Sequence, residues 1–154
     1  MALSPPVKRL KSRPITFTFE LPTQKLREFW DGLEKGKVYA SKCKKCGDLS
    51  FPPTADCSHC LNHEMEWVDI QGEGEIETFT QIVIRPASFQ NHPTYTVAVA
   101  KMNAGVKVLA WLTTAKLGDV KVGAKVKLGA VKSEDGPSYG FTLVSSNSDQ
   151  PPLK

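Results

Sequence analysis

The sequence lacks several features that whole classes of protein require. Beyond residue 66 it has no cysteine and a single histidine, His92, which leaves few groups there for nucleophilic or acid–base chemistry. Residues 1–20 contain no continuous apolar stretch, which predicts neither a secretory signal nor a membrane helix and favours a cytoplasmic protein. The formal net charge of +4 is spread along the chain, whereas a dedicated nucleic-acid binder is expected to concentrate its basic residues.

The cysteines that are present form one pattern. All four lie in two C-x-x-C pairs, Cys43 with Cys46 and Cys57 with Cys60, and ten residues separate the pairs. In a reducing compartment such pairs are expected to bind a metal rather than to form disulfides, and the spacing is typical of a four-thiolate zinc knuckle. His59 lies inside the second pair and is interpreted as a bystander. The sequence therefore predicts a structural Zn²⁺ held by the four cysteines.

The predicted metal site is closed. Four thiolates leave no coordination position for water or substrate, so the metal cannot activate either one. Iron in a rubredoxin-type electron carrier uses the same ligands, and this alternative stays open on the sequence. The cysteine pattern thus predicts a fold rather than a catalytic centre.

A short amphipathic helix is predicted just before the cysteines. Thr23 is a good N-cap, apolar residues recur at helical spacing over 26–33, and Gly36 supplies the stop. Phe29 and Trp30 belong to its apolar stripe. Because an isolated helix of this length is marginal in water, the stripe must be buried. It either packs on its own domain or docks Phe29 and Trp30 against a partner chain or a ligand.

From Trp67 onward the apolar residues recur at every second position, which indicates β-strands. Gly72 and Gly74 in the first of these strands predict a bulge or a sharp bend. Five curved strands, with a connector over 117–123 after the third, predict a small closed Greek-key barrel, an OB-fold, with an open sandwich as the alternative. The predicted strands are Trp67–Ile84, Thr94–Met102, Val106–Thr113, Ala124–Val131 and Tyr139–Val144.

These patterns give a mainly β fold class, in which an N-terminal helix and a zinc ribbon are followed by a five-stranded OB-fold barrel. Alternating apolar residues over 15–20 add a short extended segment to the basic, proline-containing N-terminus. The predicted segments are the tail and extended segment over 1–22, the helix and zinc ribbon over 23–66, the OB-fold over 67–145 and a C-terminal tail over 146–154.

The loop between the first two predicted barrel strands contains residues suited to binding. Arg85 can form a two-pronged contact with a phosphate, and Phe89 and Tyr95 can stack on a base. The rim of an OB barrel is where this fold usually takes ligands, although a solvated loop that closes the barrel is the plainer interpretation. A nucleophilic pair of Ser88 and His92 would need an orienting carboxylate, which the sequence does not identify.

A zinc ribbon beside an OB barrel resembles proteins that bind single-stranded nucleic acid through a basic groove interleaved with aromatic residues. Trp111, Tyr139 and Phe141 suit such a platform, but they suit a barrel core equally well. The barrel lysines are scattered along the sequence. Nucleic acid is therefore the less favoured ligand.

The order of motifs over residues 23–144 resembles more closely a two-domain family that associates with acyl-CoA enzymes. Its members have an N-terminal helix, a rubredoxin-like zinc ribbon and a C-terminal OB-fold. The chain departs from the family pattern at Thr54, Ser58 and Thr94-Tyr95, and none of these changes removes a metal ligand. The matching stretches are Leu26–Leu33, Cys43–Gly47, Phe51–Pro53, Trp67 with Gly72–Gly74, and Asp119–Val126.

The resemblance implies a non-catalytic zinc protein that binds acyl-CoA and associates with a thiolase-type enzyme, such as a thiolase or a hydroxymethylglutaryl-CoA synthase. There it would bridge the enzyme subunits or channel the CoA thioester. It implies that the helix, through Phe29 and Trp30, and the ribbon dock on the enzyme. For the barrel it implies contact with CoA through basic and aromatic residues, for which the candidates are Arg85, Phe89, His92 and Tyr95.

Overall fold

The computed structural model describes residues 24–85, 87–89, 93–113, 118–133 and 136–144. The predicted tails, the extended segment over 15–20, Thr23 and His92 lie outside these residues. One α-helix, two three-residue 3₁₀-helices and eight strands make up the described fold. Their bounds are α1 Arg27–Glu34, β1 Tyr39–Cys43, β2 Leu49–Ser50, β3 Met65–Asp69, β4 Gly72–Ile82, β5 Tyr95–Met102, β6 Lys107–Leu112, β7 Lys125–Ser133 and β8 Gly136–Leu143.

The predicted helix is present and stops where the sequence indicates. Gly36 follows α1 with a φ of +81°, a conformation that glycine adopts without strain. The N–H of Lys37 donates to the Gly32 carbonyl at 2.8 Å and closes the last turn. Phe29 and Leu33 are only 5% and 2% exposed, so these two residues of the apolar stripe are buried within this chain, whereas Trp30 is 43% exposed. None of the helices in the described part of the chain has the length and apolar character that crossing a bilayer requires.

The ribbon contains a three-stranded antiparallel sheet in the order β2-β1-β3. Its third strand corrects the prediction of one strand over Trp67–Ile84, because the structure divides that stretch into β3 in the ribbon and β4 in the barrel. The break lies at Ile70 and Gln71, where the Gln71 side-chain amide donates to the Gly36 carbonyl at 2.7 Å. The ribbon sheet thus continues to Asp69, beyond the residue at which the barrel was expected to begin.

Strands β4 to β8 form a closed barrel in the order β4-β5-β6-β8-β7, which confirms the predicted OB-fold and excludes the open sandwich. A short parallel pairing of β6 with β8, with Trp111 opposite Gly140, closes the barrel. The other four predicted barrel strands are confirmed, with ends that differ by at most three residues.

The sequence predicted a bulge or a sharp bend near Gly72 and Gly74, and the irregularity in β4 lies further along, where its register against β5 shifts between Ile76 and Thr78. Gly72, the first residue of β4, has a φ of +139°, which favours glycine. At Gly74 a Cβ would lie 2.7 Å from Met102 Sδ, so glycine allows the close contact between β4 and β5.

An aromatic cluster joins the helix, the ribbon and the barrel. The ring of Phe29 in α1 lies 6.2 Å from that of Phe51 in the ribbon and 6.4 Å from that of Tyr139 in β8. Phe51 and Tyr139 are 5.1 Å apart, in the edge-to-face arrangement that aromatic rings favour. One hydrophobic core runs through all three parts, and it includes Phe29, Leu33, Val38, Ala40 and Ile70 outside the barrel. Its barrel residues are Ile76, Ala98, Ala100, Met102, Val106, Val108, Ala110, Leu112, Val120, Val126, Leu128 and Phe141.

Candidate functional site

The two cysteine pairs lie in matching backbone turns, here called the first and second knuckles. In each, the N–H of the first cysteine donates to the carbonyl five residues later, at 2.8 Å from Cys43 and 2.9 Å from Cys57. The N–H groups of Gly47 and Leu61 donate back to the carbonyls of these cysteines at 2.9 Å and 3.0 Å. Both turn residues have positive φ, +76° at Gly47 and +56° at Leu61. The knuckles therefore share one conformation, although the second uses a leucine where the first uses a glycine.

The four cysteine sulfurs lie at metal-binding distances from one another. Cys43 Sγ is 3.5 Å from Cys60 Sγ, and Cys46 Sγ is 3.6 Å from Cys57 Sγ. All four sulfurs lie within 4.8 Å of one another. Tetrahedral zinc with Zn–S bonds of about 2.3 Å sets its sulfurs about 3.8 Å apart, so these residues fit a zinc ion. The predicted structural Zn²⁺ agrees with this donor set.

Backbone hydrogen bonds, burial and neighbouring thiols shift the pKa values of the cysteines. Hydrogen bonds, first from the backbone N–H of Cys46 and then from that of Lys45, outweigh burial and lower the pKa of Cys43 to about 6. The backbone N–H of Asp48 acts in the same direction on Cys46, but burial and three neighbouring thiols raise its pKa to about 12. Four close thiolates repel one another, and a dication in the centre allows all of them to ionise.

Among the described residues, the metal-binding cluster consists of cysteines alone. His59 is exposed, and His63 Nδ1 lies 2.9 Å from Asp56 Oδ1 rather than facing the sulfurs. Asn62 Nδ2 donates to Cys43 Sγ at 3.7 Å, a contact that supports a charged ligand. With four thiolates bound, the zinc has no open position for chemistry.

The barrel has an apolar groove of about 760 Å³ on its outer surface. Strand β6 alternates in burial, so Leu109 and Trp111 point outward and are 60% and 44% exposed. Strands β5 and β6, the loop before β5 and the β7–β8 hairpin form the groove, and these are the parts through which OB-folds bind ligands. The lining residues are Phe89, Val97, Leu109, Ala110, Trp111, Thr113, Val131, Gly136, Pro137, Ser138 and Tyr139.

An aromatic platform lies at one end of this groove. The rings of Tyr95 and Trp111 are stacked 4.5 Å apart with an angle of 15° between their planes. Phe89 lies tilted across both, 6.0 Å from Tyr95 and 6.2 Å from Trp111. None of the described lining residues is charged.

The structure brings together some of the predicted CoA-binding residues. Phe89 lines the groove, and Tyr95 contacts it through the stack with Trp111. Arg85 is partly exposed and is not among the described lining residues, and His92 lies outside the described part of the chain. Trp111 was weighed only as a platform for nucleic acid or as barrel core, and not as a CoA-binding residue. Only the pairing of β5 with β6, which sets it opposite Val97, brings it to the loop.

The two predicted docking residues have different surroundings. Phe29 belongs to the aromatic cluster and is 5% exposed, whereas Trp30 is 43% exposed. Their rings meet edge to face at 5.2 Å, so Phe29 supports Trp30 from beneath. Whether Trp30 docks on another chain stays a prediction.

Two of the exposed barrel lysines are held in ion pairs. Lys107 Nζ is 2.7 Å from Glu77 Oε2, and Lys125 Nζ is 2.9 Å from Glu75 Oε2. The groove with its aromatic platform lacks the basic lining that single-strand binders combine with stacking, as far as the described residues show. The geometry does not favour a nucleic-acid ligand.

The fold and the cysteine site define a zinc ribbon joined to an OB-fold barrel, with a closed metal centre and an open groove. Two family models match the chain: the rubredoxin-like zinc ribbon domain of ChsH2 over residues 30–66, and the C-terminal OB-fold domain of ChsH2 over residues 67–131. The chain belongs to this family of ChsH2-type proteins, which confirms the resemblance seen in the sequence.

Individual proteins show the same relationship. A DUF35 domain-containing scaffold protein of Pyrococcus furiosus is 29% identical over 79% of this chain and 89% of its own length. The benzoylsuccinyl-CoA thiolase subunit BbsA of Thauera aromatica is 25% identical over 73% of this chain and 68% of its own length. A solved structure of the Ltp2-ChsH2(DUF35) aldolase contains a chain with the same fold, with a TM-score of 0.68 over 86% of this chain and all of the other, at 17% identity.

Proposed function

We propose that this protein is a non-catalytic zinc-ribbon scaffold that associates with a thiolase-type enzyme and binds its acyl-CoA. The observation that carries the proposal is the division of the molecule into a closed metal site and an uncharged aromatic groove at the ligand-binding face of an OB-fold. The described groove residues include no thiol, imidazole or carboxylate, so the groove is built for binding rather than for bond cleavage.

The relatives support the choice of partner. One is named as a subunit of a thiolase that acts on an acyl-CoA, and the archaeal relative is named as a scaffold protein. Trp30 offers this chain a contact for the enzyme, because it is an exposed aromatic on a helix held rigidly by buried Phe29. The ribbon beside Trp30 would contribute a contact surface for the enzyme and no reactive group.

Co-purification tests the association. The tagged, zinc-loaded protein is expected to recover a thiolase-fold enzyme from the native host, identified by mass spectrometry. With that enzyme purified, Trp30→Ala should weaken binding about tenfold, since exposed tryptophan anchors dominate interfaces. Val122→Ala is the matched control, because Val122 is 66% exposed on the barrel connector.

Three results would contradict the proposal. Recovery of no acyl-CoA enzyme would contradict the proposed association. Thiolase activity of the isolated chain would contradict the non-catalytic role. Equal binding by wild type and Trp30→Ala would contradict the docking role of Trp30 but not the association itself.

A further inference from the structure

We propose that the barrel groove binds the apolar acyl end of the thioester, and that the phosphates and nucleotide of CoA lie outside it. This inference rests on the proposed function and assigns a part of the ligand to a part of the molecule. The groove has no charged residue in its described lining, whereas a CoA phosphate calls for lysine, arginine or helix N-termini. The transfer of an uncharged, apolar acyl group from water to such a surface is favourable and has no charge to desolvate.

The shape of the groove narrows the class of acyl group. Tyr95 and Trp111 present stacked rings almost parallel to each other, and Phe89 closes over them at a tilt of 41° to Tyr95. Flat rings meet other flat rings favourably in offset or edge-to-face contacts. A volume of about 760 Å³ also lies in the range of drug-sized ligands, well above what an acetyl group fills. The geometry therefore points to an aromatic or otherwise ring-containing acyl group.

Two hydroxyl groups in the groove lining suit the uncharged thioester that follows the acyl group. Tyr139 lines the groove and also packs against Phe51 at 5.1 Å, which fixes its ring. Its phenol hydroxyl is protonated at neutral pH and can donate a hydrogen bond to a carbonyl. Ser138, which is exposed, supplies a second hydroxyl to the lining.

A CoA-free probe separates the acyl group from the nucleotide. The N-acetylcysteamine thioester of cinnamic acid contains a flat ring and no phosphate, and the N-acetylcysteamine thioester of acetic acid lacks the ring. Calorimetric titration of the zinc-loaded protein should show at least about tenfold tighter binding of the cinnamoyl probe, and free CoA should not compete with it. Equal affinity for the two probes, or displacement of the cinnamoyl probe by free CoA, would overturn the inference.

Two variants test the location. Trp111→Ala should weaken the cinnamoyl probe about tenfold, and Leu109→Glu, at an outward position, should do the same by placing a charge in the groove. Val122→Ala should bind it unchanged, and circular dichroism with zinc analysis should show all three variants folded. Unchanged affinity in both groove variants would contradict the location.

The test also distinguishes this inference from the proposed function. If no thiolase-type enzyme is recovered but the cinnamoyl probe binds through Trp111, the groove assignment stands and the proposed association fails. If the enzyme is recovered but Trp111→Ala abolishes that recovery while no probe binds, the groove is a protein interface and the inference is wrong.

Discussion

The ribbon and the barrel differ in what holds them together. The ribbon has a small sheet, and two of its few buried side chains, Cys43 and Cys57, are metal ligands. The barrel buries a larger set of apolar residues around Phe141 and contains no metal ligand among its described residues. We therefore expect the ribbon to depend on its metal and the barrel on its apolar core, and we propose that the ligand binds on the barrel.

Removal of the zinc should have the largest effect on the difference between ribbon and barrel, because it should unfold only the ribbon. Cys43→Ser is expected to unfold residues 43–60, because structural zinc contributes about 10 to 16 kcal/mol to the folding of such small units. The barrel strands should keep their dispersed amide signals in a nitrogen–proton NMR spectrum.

His59→Ala is the control, since His59 lies between the ligands Cys57 and Cys60 of the second knuckle, is exposed and is not a predicted ligand. It should retain one zinc per chain. Full zinc stoichiometry in Cys43→Ser, or loss of zinc in His59→Ala, would refute the ligand assignment.

A cavity in the barrel core should destabilise the barrel, which removal of the zinc is expected to leave folded. Phe141 has no exposed surface, so Phe141→Ala is expected to lower the free energy of unfolding of the barrel by about 3 to 5 kcal/mol, measured by urea denaturation. Phe141→Leu retains most of the volume and should lose less. A loss below about 1 kcal/mol in Phe141→Ala would mean that the barrel does not depend on this core.

The two knuckles allow a finer comparison within the ribbon. Leu61 has a φ of +56° and is 76% exposed, and the left-handed conformation disfavours a leucine by about 1 kcal/mol. Leu61→Gly should therefore raise the free energy of unfolding of the zinc-loaded protein by about that amount.

Gly47→Ala should lower it by a similar amount, since Gly47 has a φ of +76° in the equivalent turn. Urea denaturation at fixed zinc concentration measures both variants. Opposite signs support one shared knuckle conformation, and a loss of stability in Leu61→Gly would contradict it.

Tyr139 at the junction of ribbon and barrel should produce the smallest effect. Burial raises its pKa, so the unfolded chain ionises before the folded one as pH increases. The contribution of Tyr139 is thus fully present below its unfolded pKa of about 10 and is lost as pH rises through the higher folded value. Tyr139→Phe should lose less stability between pH 9 and pH 11 than wild type does, and identical losses would contradict a buried phenol.

Local patterns in the sequence predicted much of this fold. The spacing of the cysteines, the stop at Gly36 and the alternation in the last four strands depend on neighbouring residues, and the structure contains each of them. The break at Ile70 was not predicted, because residues on both sides of it alternate in the same way.

Local patterns could not predict contacts between residues that are distant in the sequence. Phe29 and Trp30 share one apolar stripe in the sequence, and only the arrival of Phe51 and Tyr139 from elsewhere in the chain makes Phe29 the buried one. Trp111 joins Phe89 for the same reason, since the pairing of β5 with β6 brings them together.

The central claim is that the ribbon is structural and the barrel groove binds the ligand. NMR titration of the uniformly labelled, zinc-loaded protein with cinnamoyl-CoA tests it most directly. The largest chemical-shift changes are expected at the groove residues Val97, Leu109 and Trp111, including the Trp111 indole, with the cysteine knuckles unchanged. Changes concentrated at residues 43–60, with the groove signals unmoved, would contradict the account.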